Sequence, residues 1–269
     1  AWAIHPINLS PVLYIVQRMT LLASVFVVLG LLVYAVLRTA QVARAPYSRT
    51  AWLGFGACLV VGVLCKESAV LLIPFTLLLE CYLFRGEGLP TMLRRRTTML
   101  IAALLTAVLV VYVWPSVSAS YGWRGFSLGE RLMTEARIVM TYLRMILVPD
   151  LSLFGLFHDD VEISRSLFTP LSTLWSVLAI GAGAVIVMLG RFRLLGFCIG
   201  WFLVGHLLES TVVPLELMHE HRNYLASAGV AVGLVSGLTA LMSRAPSPIL
   251  RPLPVVVLLL VWGSLTWIR

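Results

Sequence analysis

Long apolar stretches dominate this chain, and their lengths restrict it to one class of fold. A helix that crosses a bilayer needs about 20 apolar residues. Eight stretches approach that length: Leu21–Leu37, Ala51–Cys65, Ala69–Phe84, Met99–Trp114, Leu171–Leu189, Leu194–Val213, Tyr224–Met242 and Leu253–Ile268. Residues 51–84 would be about 50 Å long as one helix, so we expect a hairpin that turns at Lys66 and Glu67. The chain is predicted to be an all-α, polytopic transmembrane helical bundle with about eight spans, forming a single domain over residues 1–269.

The charged residues are too few for a water-soluble protein of this length. They make up 12% of the chain, whereas a soluble domain carries roughly 25%. The formal net charge of +8 does not indicate nucleic acid as a partner, because the arginines lie in short clusters between apolar stretches. The four cysteines lie in or beside those stretches and show neither disulfide nor zinc spacing. The lipid bilayer is therefore the expected partner.

The loops between the stretches fall into two sets of opposite character. One set contains eleven of the twenty basic residues and only two carboxylates, Glu80 and Glu87. The basic residues of this set are Arg38, Arg44, Arg49, Arg85, Arg94, Arg95, Arg96, Arg191, Arg193, Arg244 and Arg251. The other set contains the remaining ten carboxylates and all five histidines. Because basic loops stay in the cytoplasm, we expect a multi-pass integral membrane protein whose acidic loops and both termini lie outside.

The segment Leu128–Leu147 does not fit this pattern of spans. It has an apolar stripe at helical spacing, with charged and hydroxyl side chains on the opposite face. If it crossed the membrane, Arg191 and Arg193 would lie outside. We therefore predict an interfacial or re-entrant helix on the outer side. The alternative is a ninth span whose polar face lines a cavity.

Ionisable groups near the membrane are the candidate functional residues. Lys66, the only lysine, is followed directly by Glu67. Charges at membrane depth indicate function by default, but the tip of a hairpin that simply reaches water is an equally good interpretation. Glu209 shares a helix face with His206 in a predicted span, and Glu220 and Arg222 follow. For these three charged residues we expect a buried network.

The other polar groups allow simpler interpretations. His5 and Arg18 precede the first span, where an arginine can anchor at the interface. Asp150 begins an outer loop that also contains Asp159, Asp160 and Glu162. Loops are commonly polar, so solvation explains the last three. His219 and His221 form only a weak metal signal. We expect no cofactor and no metal site, and a divalent metal has no support in the sequence.

Four short motifs, in this order, resemble those of a known family. They are His5-Pro6-Ile7 leading to Arg18-Met19-Thr20-Leu21-Leu22-Ala23, then Cys65-Lys66-Glu67-Ser68, then Val148-Pro149-Asp150-Leu151-Ser152, and last Glu220-His221-Arg222-Asn223-Tyr224-Leu225-Ala226-Ser227. The order is similar to that of the GT-C membrane O-mannosyltransferases that carry tetratricopeptide repeats, and of their bacterial relatives. The chain departs from the family pattern at Ala226, where the family has proline, and in lacking the residue between Pro149 and Asp150.

The resemblance implies a membrane glycosyltransferase. Such an enzyme moves a sugar from a polyprenyl-phosphate donor to a protein or glycan acceptor on the extracytoplasmic face, here the periplasmic or outer side of a bacterial inner membrane. The family's first span and first outer loop, which usually contains the catalytic aspartate, would precede Ala1, and the repeats would follow Arg269. The chain is thus expected to be an internal fragment of a longer protein. No signal peptide is visible.

The resemblance also suggests roles for individual residues. Arg18, Lys66 and Arg222 are candidates for binding the donor phosphate, because cations bind phosphate by charge-assisted hydrogen bonds. The candidate catalytic carboxylates are Glu67, Asp150 and Glu220, one of which would accept the acceptor's proton. Four further residues are expected around the site: His5, Glu209, His221 and Tyr224. Arg222 has a structural alternative, in which it pairs only with Glu209 or Glu220.

Two other functions are compatible with the composition. A transporter or flippase of a lipid-linked or small anionic substrate would also use membrane-embedded charges, but it predicts charges at the midplane and inverted repeats. The charges here lie toward one face, and no internal repeat is visible. A non-enzymatic anchor or assembly protein predicts no enclosed outer cavity.

Overall fold

A computed structural model describes residues 1–48, 50–84, 118–155, 158, 160–213, 215–243 and 250–269. These residues form nine α-helices and no β-strand. The helices are α1 (Leu9–Leu13), α2 (Arg18–Val42), α3 (Ala51–Cys65), α4 (Leu72–Leu79), α5 (Leu128–Leu147), α6 (Ser172–Leu189), α7 (Arg193–His206), α8 (Asn223–Met242) and α9 (Leu253–Ile268). Short 3-10 turns join several of them, and a π-helical turn, Glu80–Phe84, extends α4.

The predicted hairpin between α3 and α4 is confirmed, and it turns at Lys66. The backbone of Lys66 is extended, and a 3-10 turn, Glu67–Leu71, leads into α4. Gly62 brings the two arms together, because a Cβ atom there would lie 2.9 Å from Ala69 Cβ. Inside a bilayer the helices gain little from the hydrophobic effect, so close approach at small residues supplies the packing energy.

The end of the bundle away from Lys66 is held by a buried ion pair between α2 and the α4 extension. The guanidinium of Arg38 donates to both carboxylate oxygens of Glu80, at 2.9 and 2.7 Å. The hydroxyl of Tyr34 donates to the same carboxylate at 2.6 Å. Arg38 is 1% exposed, so its charge is neutralised inside the protein.

The structure supports a membrane protein but not a full set of eight spans. Four helical segments are long and apolar enough to cross a bilayer: Ile15–Val42, Glu67–Phe84, Ser172–Leu189 and Glu220–Met242. Three shorter apolar helices, α3, α7 and α9, match predicted spans. The predicted span Met99–Trp114 lies outside the described residues. The predicted span Leu194–Val213 is wrong at its end, because α7 stops at His206 and turns follow.

Helix α5 lies across the Lys66 end of the bundle. A capping box fixes its start, in which Ser127 and Glu130 each bond the other's backbone N–H. Hydrogen bonds then join its first, middle and last turns to segments at that end. Arg131 bonds the carbonyl of Thr211, Tyr142 bonds that of His219, and the Ile146 carbonyl bonds His5. These hydrogen bonds fix α5 to segments beside the charged end of the bundle.

Candidate functional site

Lys66 joins three segments that are far apart in the sequence. Its Nζ lies 2.8 Å from Glu209 Oε1 and 3.2 Å from the hydroxyl oxygen of Thr20. Thr20 lies in the first turn of α2, and Glu209 lies in the turns that follow α7. The Lys66 side chain is 5% exposed. A buried ammonium group requires such partners, since an unpaired charge is costly to bury.

Arg222 contacts the other oxygen of the same carboxylate. Its Nε lies 3.3 Å from Glu209 Oε2. Its Nη1 donates to the carbonyl of Leu217 at 2.8 Å, and its Nη2 donates to that of Glu216 at 2.6 Å. Because both cations contact one carboxylate, Lys66 and Arg222 belong to one site. Glu209 is one of the two carboxylates that the structural alternative for Arg222 named as partners.

A second carboxylate links this site to α5. Glu135 Oε1 lies 2.9 Å from Arg131 and 3.8 Å from Nη1 of Arg222. Arg131 is completely buried and also donates to the backbone carbonyls of Glu209, Thr211 and Leu215. Arg131 and Glu135 were not among the sequence candidates. The sequence feature that could have identified them is their opposite charge, four residues apart on one predicted helix with a capped start.

We define the charged cluster as Lys66, Arg131, Glu135, Glu209 and Arg222. Its three cations share two carboxylates through contacts between 2.8 and 3.8 Å. All five residues are buried. The cluster therefore carries one surplus positive charge in a place where water screens charge poorly.

A pocket of about 380 Å³ opens on one side of the charged cluster. We call it the central pocket. Three residues of the charged cluster line it: Lys66, Glu209 and Arg222. The rest of the lining consists of Glu67, His221, Met19, Arg124, Leu215, Glu216 and His219. A cavity of about 30 Å³ beneath it is lined by Thr20 and by the same Lys66, Glu209, His221 and Arg222. The sequence candidates Lys66, Glu67, Glu209, His221 and Arg222 are thus brought together as expected.

Of the three predicted catalytic carboxylates, Glu67 is the one that lines the central pocket. Its side chain is exposed and has no hydrogen-bond or ion-pair partner among the described residues. Glu220 is instead buried, with an exposure of 4%. Its carboxylate accepts hydrogen bonds from the Gly155 N–H, the Ser10 hydroxyl and Arg269. Glu220 therefore does not form an ion pair with Arg222, contrary to the expected network, because its carboxylate is bound by Arg269 and Ser10.

Asp150 caps a 3-10 turn away from the pocket. It accepts hydrogen bonds from the hydroxyl and the N–H of Ser152, at 2.7 and 3.0 Å. These bonds lower the pKa of the Asp150 carboxyl below its usual value. The residue neither lines the central pocket nor contacts the charged cluster, so this candidate catalytic carboxylate does not lie beside Lys66 and Glu67.

His5 also belongs to a different part of the protein. Its Nδ1 accepts a hydrogen bond from the Ile7 N–H at 3.0 Å, so its Nε2 must carry the proton that is donated to the Ile146 carbonyl at 2.9 Å. Its ring contacts the edge of Trp262 at a centroid distance of 4.4 Å. Burial lowers the pKa of His5 to about 4. A neutral, fully bonded histidine of this kind is a structural residue that fixes the N-terminal turns on α5 and α9.

Arg18 and Tyr224 lie near the site without lining the central pocket. Arg18 is exposed at the start of α2, beside Met19 and Thr20. Tyr224 contacts the ring of Trp2 at a centroid distance of 4.8 Å. These two residues, with His5, Asp150 and Glu220, are the candidates that the structure leaves outside the pocket. Asp159 lies outside the described residues.

The histidines near the pocket do not form a metal centre with other residues of the described part. His219 lies 2.5 Å from Glu216, and its ring stacks on that of His221 at 5.0 Å. Within the described ranges, no group of three or more histidine, cysteine or acidic side chains is close enough to hold a metal ion. The lining of the central pocket combines three cations, Lys66, Arg124 and Arg222, with three carboxylates, Glu67, Glu209 and Glu216.

Comparisons with protein families, with curated proteins and with solved structures found no match to this chain.

Proposed function

We propose that this chain is the membrane core of a glycosyltransferase and that the central pocket binds the phosphate of a polyprenyl-phosphate sugar donor. The observation that carries the proposal is the surplus positive charge of the buried cluster. Three buried cations that share two carboxylates are incompletely neutralised, and such charge is costly to bury. A phosphate group in the adjoining pocket would neutralise it.

The two cluster cations that line the pocket, Lys66 and Arg222, each retain a donor for such a ligand. A lysine ammonium has three N–H donors, and Glu209 and Thr20 take two of those of Lys66. An arginine has five, and four of those of Arg222 face Glu209, Glu135 and the carbonyls of Leu217 and Glu216. One N–H on each side chain therefore remains for phosphate oxygens.

The entrance to the pocket suits a lipid-linked ligand. Met19 lines the pocket, and the segment before it exposes large apolar side chains, with Leu13, Ile15 and Val16 at 63%, 78% and 66%. Such a surface is stable only against lipid or another apolar partner. A polyprenyl chain could lie along Val12–Val16 while its phosphate reaches Lys66.

Glu67 is the residue that we assign as the general base of this pocket. It lies next to Lys66 in the hairpin and lines the pocket with an uncommitted carboxylate. A base must be able to reach the hydroxyl group whose proton it accepts. An acceptor hydroxyl, from a protein or a glycan, would approach Glu67 from the open side of the pocket.

The proposal includes an orientation in the membrane. Helices α2, α4 and α8 each have one end near the charged cluster, and the arginine-rich loops follow their other ends. The positive-inside rule then directs the central pocket to the extracytoplasmic face of a multi-pass protein with about eight spans. For a bacterial inner membrane this face is the periplasmic one. Helix α5 would lie in the membrane–water interface on that side.

Binding of a short-chain polyprenyl phosphate to the purified protein in nanodiscs tests the proposal. We expect Lys66→Met to weaken binding about 10- to 100-fold, which is the effect of a lost charge-assisted hydrogen bond. Arg144→Gln is the matched control, because Arg144 is exposed on α5 and does not line the pocket. The uncharged polyprenol should bind weakly to every variant. Equal affinity for polyprenol and polyprenyl phosphate would refute the proposal.

The role of Glu67 needs a separate assay of sugar transfer or donor hydrolysis. Removing a general base slows the chemical step by about 100- to 10,000-fold. We therefore expect Glu67→Gln to bind the donor normally and to turn it over at least 100 times more slowly. A variant with unchanged turnover would assign the base to another residue.

A further inference from the structure

A second pocket lies between α4, α6 and α7, and its end at Arg193 is the one remote from the charged cluster. It is a groove of about 390 Å³, which we call the lateral groove. Its walls come from α4 with its extension, from the end of α6 and from α7. The lining side chains that matter are Leu77, Cys81, Val187, Met188, Arg193 and Val204.

The walls of the lateral groove are held by contacts that do not fill it. A Cβ atom on Gly200 of α7 would lie 2.6 Å from the Leu78 side chain and 3.5 Å from that of Val187, so the three helices meet there. The Tyr82 hydroxyl donates to the Val187 carbonyl at 2.7 Å. Met188 beside it is 84% exposed and Leu189 is 73% exposed. Among the residues that the structure describes, the groove is therefore an apolar and open surface.

The charge at one end of the groove is positive. Arg193 lines the groove, and its guanidinium donates to the Tyr82 carbonyl. Arg191 is exposed two residues earlier and has no partner among the described residues. Glu80, in the adjoining α4 extension, is bound by Nε and Nη2 of Arg38. Its negative charge is therefore balanced by Arg38 and does not offset the positive charge of the groove.

The length of the groove matches one leaflet of a bilayer. Arg193 and Val204 are eleven residues apart on α7, which is about 16 Å along the helix. One leaflet has a hydrocarbon layer of about 15 Å, half of the bilayer core. A chain that fills the groove from Arg193 would therefore reach the middle of the membrane.

We propose that the lateral groove binds one anionic phospholipid from the leaflet opposite the central pocket, with an acyl chain in the groove and its phosphate at Arg191 and Arg193. The apolar walls, the positive end and the one-leaflet length together match a phospholipid. Basic pockets between transmembrane helices on the cytoplasmic side bind anionic head groups. The inference does not depend on the glycosyltransferase proposal.

Native mass spectrometry of the detergent-purified chain with added phosphatidylglycerol or phosphatidylcholine tests this inference. We expect one phosphatidylglycerol to be retained in preference to phosphatidylcholine. Arg191→Gln should reduce that preference about fivefold, corresponding to about 1 kcal/mol for one basic residue near a membrane surface. Arg191 is the informative position because it contacts no other segment in the described part of the chain, whereas replacing Arg193 would also remove the bond to Tyr82.

A second variant tests the groove itself. Met188→Trp should fill the apolar part of the groove and release the lipid while both arginines remain. Arg144→Gln, at the other end of the bundle, should change nothing, and thermal unfolding in detergent should show that all variants are folded. Equal retention of the two lipids, or retention unaffected by both groove variants, would overturn the inference. So would an efficient disulfide between Met188→Cys and a cysteine placed in residues 99–114, because the chain itself would then occupy the groove.

Discussion

Replacing Lys66 by methionine tests whether the charged cluster holds the bundle together. Methionine keeps most of the volume of the side chain but removes its charge. Glu209 would then lose its 2.8 Å partner in a place where the two side chains are only 5% and 7% exposed. Removing one partner of a buried pair costs about 3–5 kcal/mol. Because Arg222 remains 3.3 Å from the same carboxylate, we expect a loss near the lower end, about 3 kcal/mol of unfolding free energy.

The reasoning makes a sharper statement about the double variant. Glu209→Met alone leaves Lys66 without its carboxylate partner and should be similarly unstable, whereas Lys66→Met with Glu209→Met removes both partners of the pair. Residues that form one ion pair typically couple by about 0.5–3 kcal/mol. We expect the double variant to be at least about 1 kcal/mol more stable than the sum of the single losses implies. Unfolding from bicelles by dodecyl sulfate, followed by tryptophan fluorescence, measures all three.

An exposed pair provides the control for this cycle. Arg165 and Glu130 lie 2.7 Å apart, with the arginine side chain 58% exposed. Exposed pairs contribute about 0–1 kcal/mol, so Arg165→Gln should have little effect. Additive losses for Lys66 and Glu209, within about 0.5 kcal/mol, would refute the reasoning, because independent residues do not share a buried ion pair.

Three other predictions follow from single contacts. Because the pKa of His5 is about 4 when folded and 6.5 when unfolded, the unfolded chain binds more protons at His5 between these values. The contribution of His5 to stability should be full above pH 6.5 and fall by up to about 3 kcal/mol as the pH drops to 4, and His5→Gln should make pH-dependent unfolding curves shallower by that amount. Gly62→Leu should lower the unfolding free energy by about 1–3 kcal/mol, because a Cβ there would lie 2.9 Å from Ala69; Gly54→Leu on the same helix, with nothing within 4 Å, should be near neutral in the same assay. A cysteine at Arg193 should be protected from an impermeant thiol reagent in intact cells, while one at His219 is labelled. Labelling at Arg193 would mean that the predicted number of membrane crossings before this residue is wrong.

The helices and the hairpin could be predicted from the sequence because they depend on local pattern. Apolar runs of helical length marked α2, α6 and α8, and the stretch of 51–84 was too long for one crossing, which located the turn at Lys66. The end of α7 could not be predicted in this way. Leu207, Leu208, Val212 and Val213 continue the apolar pattern around three polar residues. Arg131 binds the carbonyls of Glu209 and Thr211, and this tertiary contact takes the place of helical hydrogen bonds.

The partners of the charged residues were harder to predict than their positions. Lys66, Glu209 and Arg222 are unusual in apolar surroundings, so the sequence marked them as a site. Their pairing depends on which helices are neighbours, and sequence spacing does not contain that information. Glu220 lies two residues from Arg222 yet binds Arg269 and Ser10, because the 3-10 turn directs the two side chains to different sides of the bundle.

Photoaffinity labelling with a polyprenyl phosphate that carries a photoreactive group beside its phosphate tests the central claim most directly. The labelled peptides would be mapped by mass spectrometry on the protein in nanodiscs. We expect labels on the hairpin around Lys66 and Glu67 and on the segment from Glu216 to Arg222, competed by unlabelled polyprenyl phosphate and strongly reduced in Lys66→Met. Labels confined to other parts of the chain, such as the lateral groove at Val187 to Arg193, would contradict the assignment of the central pocket as the donor site.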